Sequence, residues 1–378
     1  MSLHDLVSGV LWSVCACLPI DKKKILFSSY YGRGYSDSPK AIAQALLDSG
    51  EDVKLCWLVK SQAEAATLPE GITPIDQNNA LARIMAYSTS RVWVDNCRKY
   101  VRRKRNGQFY MQTWHGFALK RIEADAVQAL EDEYIRGSKA DSAQTDVIVS
   151  GSGFMTGLYR NSFWYDGEVA ELGTPRNDIF FRNNSEIPAK IRIALNLATD
   201  RRLLLYAPTF RSDHSLDCYA LDAERALRAC ETRFGGDWTA LIRLHPNIAS
   251  QSAGLFPYDG ERIVDATAYP DMQELLAGVD LLITDYSSSM FDYALRGKPC
   301  IQFALDIESY AKERNFYFPL DDLPFPMAQS NGELEQLLAQ YDQTRWSDRW
   351  ERFKTENGFR EDGYAAKRCA QWILEHTR

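Results

Sequence analysis

Apolar residues recur at Leu3, Leu6, Val7, Val10, Leu11, Val14 and Leu18, the spacing of one helix face. Lys22, Lys23 and Lys24 follow. The run is short for a membrane span and lacks the basic leader of a secretory signal. It predicts a helix that packs on the protein or lies in a membrane interface. From Lys24 the pattern changes. KILFSS reads as a short buried strand, and the glycine-bearing loop YYGRGYSDSP follows it. Ser38 then caps a helix with Pro39 at its first position and Gly50 at its end. VKLCWLV, RVWVDN, FYMQTW and DVIVS are further strands, spaced as in parallel βαβ units. A second series starts near Arg201, with RRLLLYAPT, TALIRLHP, DLLITD and KPCIQF as strands. Helices fit between them at Ala223–Arg233, Met272–Leu276 and Ser288–Leu295.

This alternation predicts an α/β protein of two doubly wound Rossmann-like domains facing a cleft, with terminal helices. A length of 378 residues agrees with two domains at about 150 residues each. The expected divisions are an amphipathic helix over 1–20, a first domain over 21–180, a second over 181–345 and closing helices over 346–378. FFRNNSEIP is the polar linker. Ligands of such sheets sit at the carboxyl ends of the strands.

Composition narrows the function classes. Aromatics at 12%, spread along the chain, exclude global disorder. The 44 basic and 51 acidic residues give a net charge of −7, which argues against nucleic acid as a partner but permits a local phosphate pocket. The eight cysteines include no C-x-x-C and no zinc spacing, so they read as reduced, buried thiols and no metal site is expected.

The unusual residues fall at strand ends. Gln112-Thr113-Trp114-His115-Gly116 follows a strand directly, with Lys120 and Arg121 downstream. It offers a titratable ring beside a backbone that tolerates close approach. Alternation in Arg243-Leu244-His245-Pro246 puts a guanidinium and an imidazole on one side, a pair suited to phosphate. Asp285-Tyr286-Ser287-Ser288-Ser289 joins a strand to a helix carrying Asp292, where hydroxyls and backbone N–H groups suit an anion. Pro208-Thr209-Phe210-Arg211 and Thr174-Pro175-Arg176 end other segments near the same cleft. Arg98, Lys99, Arg102, Arg103, Lys104 and Arg105 form a basic run, read either as a solvated face or as a contact for anionic lipid or a phosphate-bearing acceptor.

With these segments in order, the chain resembles the CDP-glycerol glycerophosphotransferase family, which includes the teichoic acid primases and polymerases. The resemblance runs from about Ile25 to Arg368 and rests on SSYYGRGYSDSPKAI, QTWHGFALKRI, GTPRNDI, LYAPTFR, RLHP and LLITDYSSSMFDYAL, with FREDGYAAKR as a closing segment. It implies a glycosyltransferase-B-like fold, no cofactor, no required metal, and the donor held mainly in the C-terminal domain. The N-terminal domain then takes the acceptor side. By motif, His115 is implied as the catalytic base and His245 as a second essential histidine. Trp114, Gly116, Arg176, Pro208, Thr209, Arg211, Arg243, Asp285, Ser287, Ser288 and Asp292 fall on the donor-binding side. Lys120, Arg121, Arg102, Arg103, Lys104 and Arg105 fall on the acceptor or membrane side. The implied donor is CDP-glycerol or CDP-ribitol. The implied acceptor is a lipid-linked saccharide or polymer, which puts the protein at the cytoplasmic face of the cell membrane. Phe117-Ala118 stands where the family more often has Thr-Pro, and Ser38 where it often has Asn, so acceptor and polyol stay open. A nucleotide-sugar glycosyltransferase of this fold, a nucleotide-sugar epimerase and a non-enzymatic polymer-binding protein are the competing readings.

Overall fold

The computed structural model describes residues 3–99, 104–198, 200–211, 216–245, 254–307, 310 and 315–377. Arg102, Arg103 and Pro246 of the expected motifs lie outside the described residues. The chain forms two compact units. One comprises Met1–His115, Ile122–Phe181 and Gly358–Arg378, the other Gly116–Arg121 and Arg182–Asn357.

Among the described residues, unit 1 is built on a seven-stranded parallel sheet of order β3-β2-β1-β4-β5-β6-β7. The strands are β1 Asp21–Ser28, β2 Lys54–Val59, β3 Ile72–Asp76, β4 Ser90–Asp95, β5 Phe109–Gln112, β6 Val147–Val149 and β7 Glu168–Ala170. Ile25, Phe27, Trp57, Val92, Val94 and Met111 are buried on one core and Leu26, Leu58, Trp93 and Tyr110 on the opposite face. Alternate residues thus serve opposite layers, which is why these strands read as unbroken apolar runs. Each such side chain contributes roughly 1.5–3 kcal/mol by its burial. β3 and β7 were not read from sequence, because ITPID is interrupted by Pro74 and EVA has three residues.

The helix over Asp37–Ser49 starts earlier than expected. Its cap is Ser36, and Asp37 takes a left-handed backbone, φ 64°, with its Oδ1 accepting from the Ser38 amide at 2.6 Å. Ser36 makes no side-chain cap bond, and Ser38 lies inside the helix instead of capping it. Gly50 ends this helix in the left-handed conformation, as the sequence predicts.

The final helix, Ala365–Thr377, returns to unit 1 instead of standing apart in a terminal segment. Ala366, Cys369, Ala370 and Ile373 make a buried stripe on it. Both oxygens of Asp178 accept from its first amides, Ala365 at 3.0 Å and Ala366 at 2.8 Å. The helix before it, Gln343–Glu356, belongs to unit 2 and buries Trp350 and Phe353.

The first helix, Leu3–Cys15, packs beside the helix Ala80–Thr89, with Trp12 6.3 Å from Tyr87. Among the described residues no helix is long and apolar enough to cross a membrane.

Unit 2, among the described residues, carries a six-stranded parallel sheet of order β10-β9-β8-β11-β12-β13. Its strands are β8 Arg202–Ala207, β9 Trp238–Ile242, β10 Ile263–Asp265, β11 Leu281–Thr284, β12 Cys300–Phe303 and β13 Met327–Ala328. Gly116–Arg121 adds to this unit through an antiparallel bridge of Lys120 with Phe316 and an Arg121 amide donating to the Asn315 carbonyl at 2.8 Å. The eight cysteines are free thiols, and only Cys17 is exposed.

Candidate active site

In each sheet the strand order reverses once, between β1 and β4 in unit 1 and between β8 and β11 in unit 2. The loops leaving the two strands at a reversal diverge to opposite faces and leave a crevice at the strands' carboxyl ends. The motifs singled out in the sequence follow the carboxyl ends of strands at or near these reversals, after β1, β5 and β7 in unit 1 and after β8, β9 and β11 in unit 2.

In unit 1, His115 lies just beyond β5. Its Nδ1 is 2.8 Å from the carbonyl oxygen of Asn96, which follows β4. A carbonyl only accepts, so Nδ1 carries the proton and the neutral ring presents Nε2 as its acceptor. The ring is half-buried and stacks on Trp114 with centroids 4.3 Å apart. Burial pushes its pKa below the ordinary histidine value, with Arg176 adding to this, against the Asn96 carbonyl, Asp37 and Glu123, which favour the charged form. A neutral, oriented imidazole at neutral pH is suited to accept a proton.

The turn that presents it is strained and braced. Trp114 holds φ 51°, an unusual conformation for a bulky residue, and its amide donates to Gln112 Oε1 at 2.9 Å. Such a backbone is of order 1–3 kcal/mol unfavourable and persists only where its surroundings hold it. Gly116 follows at φ 133°, open only to glycine at low strain.

Arg176 is buried. Its Nη1 donates to Asp37 Oδ2 at 2.8 Å and to the His115 carbonyl at 2.7 Å. Tyr30 donates its hydroxyl to the same Asp37 oxygen at 2.6 Å, and its amide to Asn96 Oδ1 at 2.9 Å. Burial raises the Asp37 carboxyl, but the Arg176 charge and the bonds from Tyr30, Ser38 and Arg176 outweigh it and hold the group below its usual value. Tyr30, Asp37 and Asn96 escaped the sequence reading. The available signals were two polar residues, Asp95-Asn96, closing an apolar strand, and an acid set between Ser36 and Ser38.

The basic run resolves into separate structural roles. Arg98 is buried with Glu123 and Asp141, and Lys99 is buried in an ion pair with Asp95. Lys104 pairs with Asp146, and Arg105 donates to the carbonyls of Leu18 and Ser88 at 2.8 and 2.7 Å. For the four described residues of the run the charge thus serves ion pairs and ties to main-chain carbonyls. Lys120 and Arg121 sit in unit 2, where Lys120 Nζ donates to Tyr310 at 2.9 Å and the Arg121 guanidinium lies 5.9 Å from the Tyr317 ring.

In unit 2 the loops after β8, β9 and β11 meet. Asp285 Oδ1 accepts from the Thr209 amide at 2.8 Å and its hydroxyl at 2.5 Å, and Oδ2 accepts from Arg211 at 2.8 Å. Arg211 also grips Asp306 through Nε at 2.7 Å and lies over the Tyr286 and Tyr310 rings. Desolvation is outweighed by these carboxylates, so the guanidinium is held firmly protonated. Thr209, Arg211 and Asp285 therefore shape the floor, with Pro208 buried beside them. Asp292 is buried and accepts from Gln273 at 3.3 Å. Ser287 and Ser288 are half-exposed above this floor, and Ser288 does not cap the helix Ser289–Ala294 with its side chain. Arg243 is half-buried and donates to the Tyr269 carbonyl. His245 is exposed, 5.2 Å from the Phe210 ring. Asp306 and Gln273 were not anticipated, since only the fold brings the segment after β12 and the helix Met272–Gly278 to these loops.

Among the described residues no group of three or more His, Cys, Asp or Glu is placed to hold a metal ion.

Comparison with known proteins bears on what the two sites do. A family model described as CDP-Glycerol:Poly(glycerophosphate) glycerophosphotransferase matches residues 10–375. The chain is 30% identical over 373 residues to a teichoic acid glycerol-phosphate transferase of Staphylococcus aureus (strain NCTC 8325 / PS 47), covering 94% of each. It is 31% identical over 341 residues to a teichoic acid poly(glycerol phosphate) polymerase of Bacillus subtilis (strain 168), covering 87% of this chain and 45% of that protein. The chain thus spans about half the length of that polymerase and of a second one from Staphylococcus epidermidis, and 97% of the length of a third from Bacillus spizizenii. A solved structure of the wall teichoic acid polymerase TagF superposes with a TM-score of 0.84 at 29% identity, over 99% of this chain and 95% of that one.

Proposed function

The chain belongs to the CDP-glycerol:poly(glycerophosphate) glycerophosphotransferase family, and from that premise we propose that it transfers glycerol phosphate, or a related polyol phosphate, from a CDP-activated donor to a hydroxyl of a lipid-linked or polymeric cell-surface glycan, releasing CMP. The observation that carries this reading is the His115 ring, with Nδ1 committed to the Asn96 carbonyl and Nε2 as its proton acceptor.

The acceptor hydroxyl attacks the β-phosphorus. Its proton goes to His115 Nε2, a bond forms from the acceptor oxygen to phosphorus, and the bond from phosphorus to the bridging oxygen breaks. The electron pair of that bond leaves with CMP. Positioning and charge stabilisation dominate such transfers. Arg243, His245 and the hydroxyls of Ser287 and Ser288 are suited to the donor phosphates, supported by their exposure above the Asp285–Arg211 floor. Phosphate, not a glycosidic bond, is the product linkage, which separates this activity from that of a nucleotide-sugar glycosyltransferase or epimerase.

A thermal-shift panel tests the donor class without an acceptor. CDP-glycerol or CDP-ribitol at 100 times its dissociation constant is expected to stabilise the protein by about 2.7 kcal/mol. Arg243→Ala is expected to abolish that shift. Stabilisation by UDP-N-acetylglucosamine alone would replace the reading with sugar transfer or epimerisation.

The protein acts at the cytoplasmic membrane face in this proposal, on acceptors anchored there. Val10 and Val14 of the first helix are exposed at 57% and 61%, with Lys22 and Lys23 exposed beyond it. Sedimentation with anionic vesicles is expected for the wild type and reduced in V10D/V14D. Equal sedimentation of both would remove the helix from this role.

A further inference from the structure

We propose that Asp37 and Arg176 act as a positioning pair for His115, with Arg176 serving the imidazole and not the donor. This rests on the reading of His115 as the base. Arg176 reached the donor-binding group by its motif alone. In the fold it is 7% exposed, and one nitrogen spans the Asp37 carboxylate and the His115 main-chain carbonyl. Its own amide donates to Ser38 Oγ at 3.4 Å. Asp37 is equally enclosed and gathers three donors, from Tyr30, Ser38 and Arg176. The loop after β1, the turn Pro175–Phe181 and the His115 turn are thereby locked at one carboxylate.

The lock is mechanical and electrostatic. His115 is held at its ring through Asn96, and at its carbonyl through Arg176. Loss of the second tether frees the peptide between His115 and Gly116, and a misplacement of about 1 Å at a reacting group lowers rates by about 10²-fold. The charged groups acting on the ring are Asp37 from the start of the helix Asp37–Ser49, Arg176 from its turn and Glu123 from the turn Glu123–Ala129, with the Tyr30 ring 6.1 Å away. Arg176 and Asp37 push the histidine in opposite directions, so each masks the other. Removing one unmasks its partner.

Asp37→Asn, Arg176→Gln, Arg176→Lys and the double variant D37N/R176Q test this, with folding checked by melting curves. His115 is titrated by NMR through its ring C–H signal, assigned by its absence in His115→Gln. Steady-state kinetics with CDP-glycerol supply kcat and KM. Asp37→Asn is expected to move the His115 titration to lower pH and Arg176→Gln to higher pH. D37N/R176Q is expected to bring it back near the wild-type position. In all three, kcat falls by about 10-fold or more while KM for CDP-glycerol stays within about 2-fold. Arg176→Lys keeps the wild-type titration and recovers part of the kcat lost in Arg176→Gln. Should Asp37→Asn alone prove unfolded, the double variant, which buries no unpaired charge, and Arg176→Lys still decide the matter. A large rise in KM with kcat retained would overturn the proposal and return Arg176 to the donor. Titrations that move in the same direction, or not at all, would also overturn it. Full turnover in His115→Gln with opposed titration shifts in the other variants would refute the base assignment, while the pair's hold on the ring would stand.

Discussion

His115→Ala is expected to lower turnover by about 10²-fold or more, the ordinary contribution of a general base. The fold should survive, because the ring is half-buried and neutral, so its removal leaves no buried charge unpaired. Donor-induced thermal stabilisation should survive as well, since the phosphate-binding groups proposed for unit 2 are untouched. The pH dependence has a definite sign. The active form is the neutral imidazole, and burial lowers its pKa from the ordinary 6.5. Activity in the wild type should therefore be flat across neutral pH and fall only as pH drops through that depressed value. A limb centred above 6.5 would contradict the site's electrostatics. A folded His115→Ala protein with full turnover would remove the residue from the mechanism.

The largest effect on stability is expected at Arg98. Its guanidinium donates to Glu123 Oε2 at 2.8 Å and reaches Asp141 Oδ2 at 3.3 Å, with all three side chains 1% exposed. It also lies 4.8 Å from the Phe163 ring and 5.7 Å from the Trp114 ring, under the turn that carries His115. Arg98→Ala leaves two carboxylates buried without their cation, a change that destabilises by about 3–5 kcal/mol. Burial already pushes the Asp141 carboxyl up to about 6, against the pull of Arg98. A carboxyl raised in the folded state stabilises below its unfolded pKa, and that contribution is lost as pH rises through the folded value. Without Arg98 the folded value climbs further, so the variant should be penalised more at pH 8 than at pH 5. Urea unfolding at the two pH values measures this. A loss within about 0.5 kcal/mol, the usual range for a surface site, would mean that Arg98 is not the keystone of the cluster.

Arg98 also shows where sequence reading reaches its limit. Six basic residues in eight positions look like a surface, because charge is normally solvated. The partners of Arg98 and Lys104, which are Glu123, Asp141 and Asp146, lie tens of residues downstream, and the parallel pairing of β4, β5 and β6 brings them near. The strands themselves were legible, since a sheet covered on both faces leaves apolar runs such as VKLCWLV and RRLLLYA. Short or proline-broken strands such as β3 and β7 were not. The site showed the same division. His115, Arg243, His245 and the serine loop were visible as unusual residues at strand ends. Tyr30, Asp37 and Asn96 were hidden, because their role is to hold one another and His115 across segments far apart in the chain. The units were also harder to delimit than the linker FFRNNSEIP suggested. The stripe on Ala365–Thr377 finds its complement in unit 1, whereas Gly116–Arg121 pairs with Phe316 and its neighbours in unit 2.

The most direct test of the proposed chemistry is product analysis with CDP-glycerol and a lipid-linked saccharide acceptor. The account predicts one CMP released for each glycerol phosphate gained by the acceptor, through a phosphodiester, with both products formed about 10²-fold or more slowly in His115→Ala. Release of CMP without gain by any lipid-linked or polymeric acceptor, or transfer of a sugar from a nucleotide-sugar donor with no use of CDP-glycerol or CDP-ribitol, would contradict it.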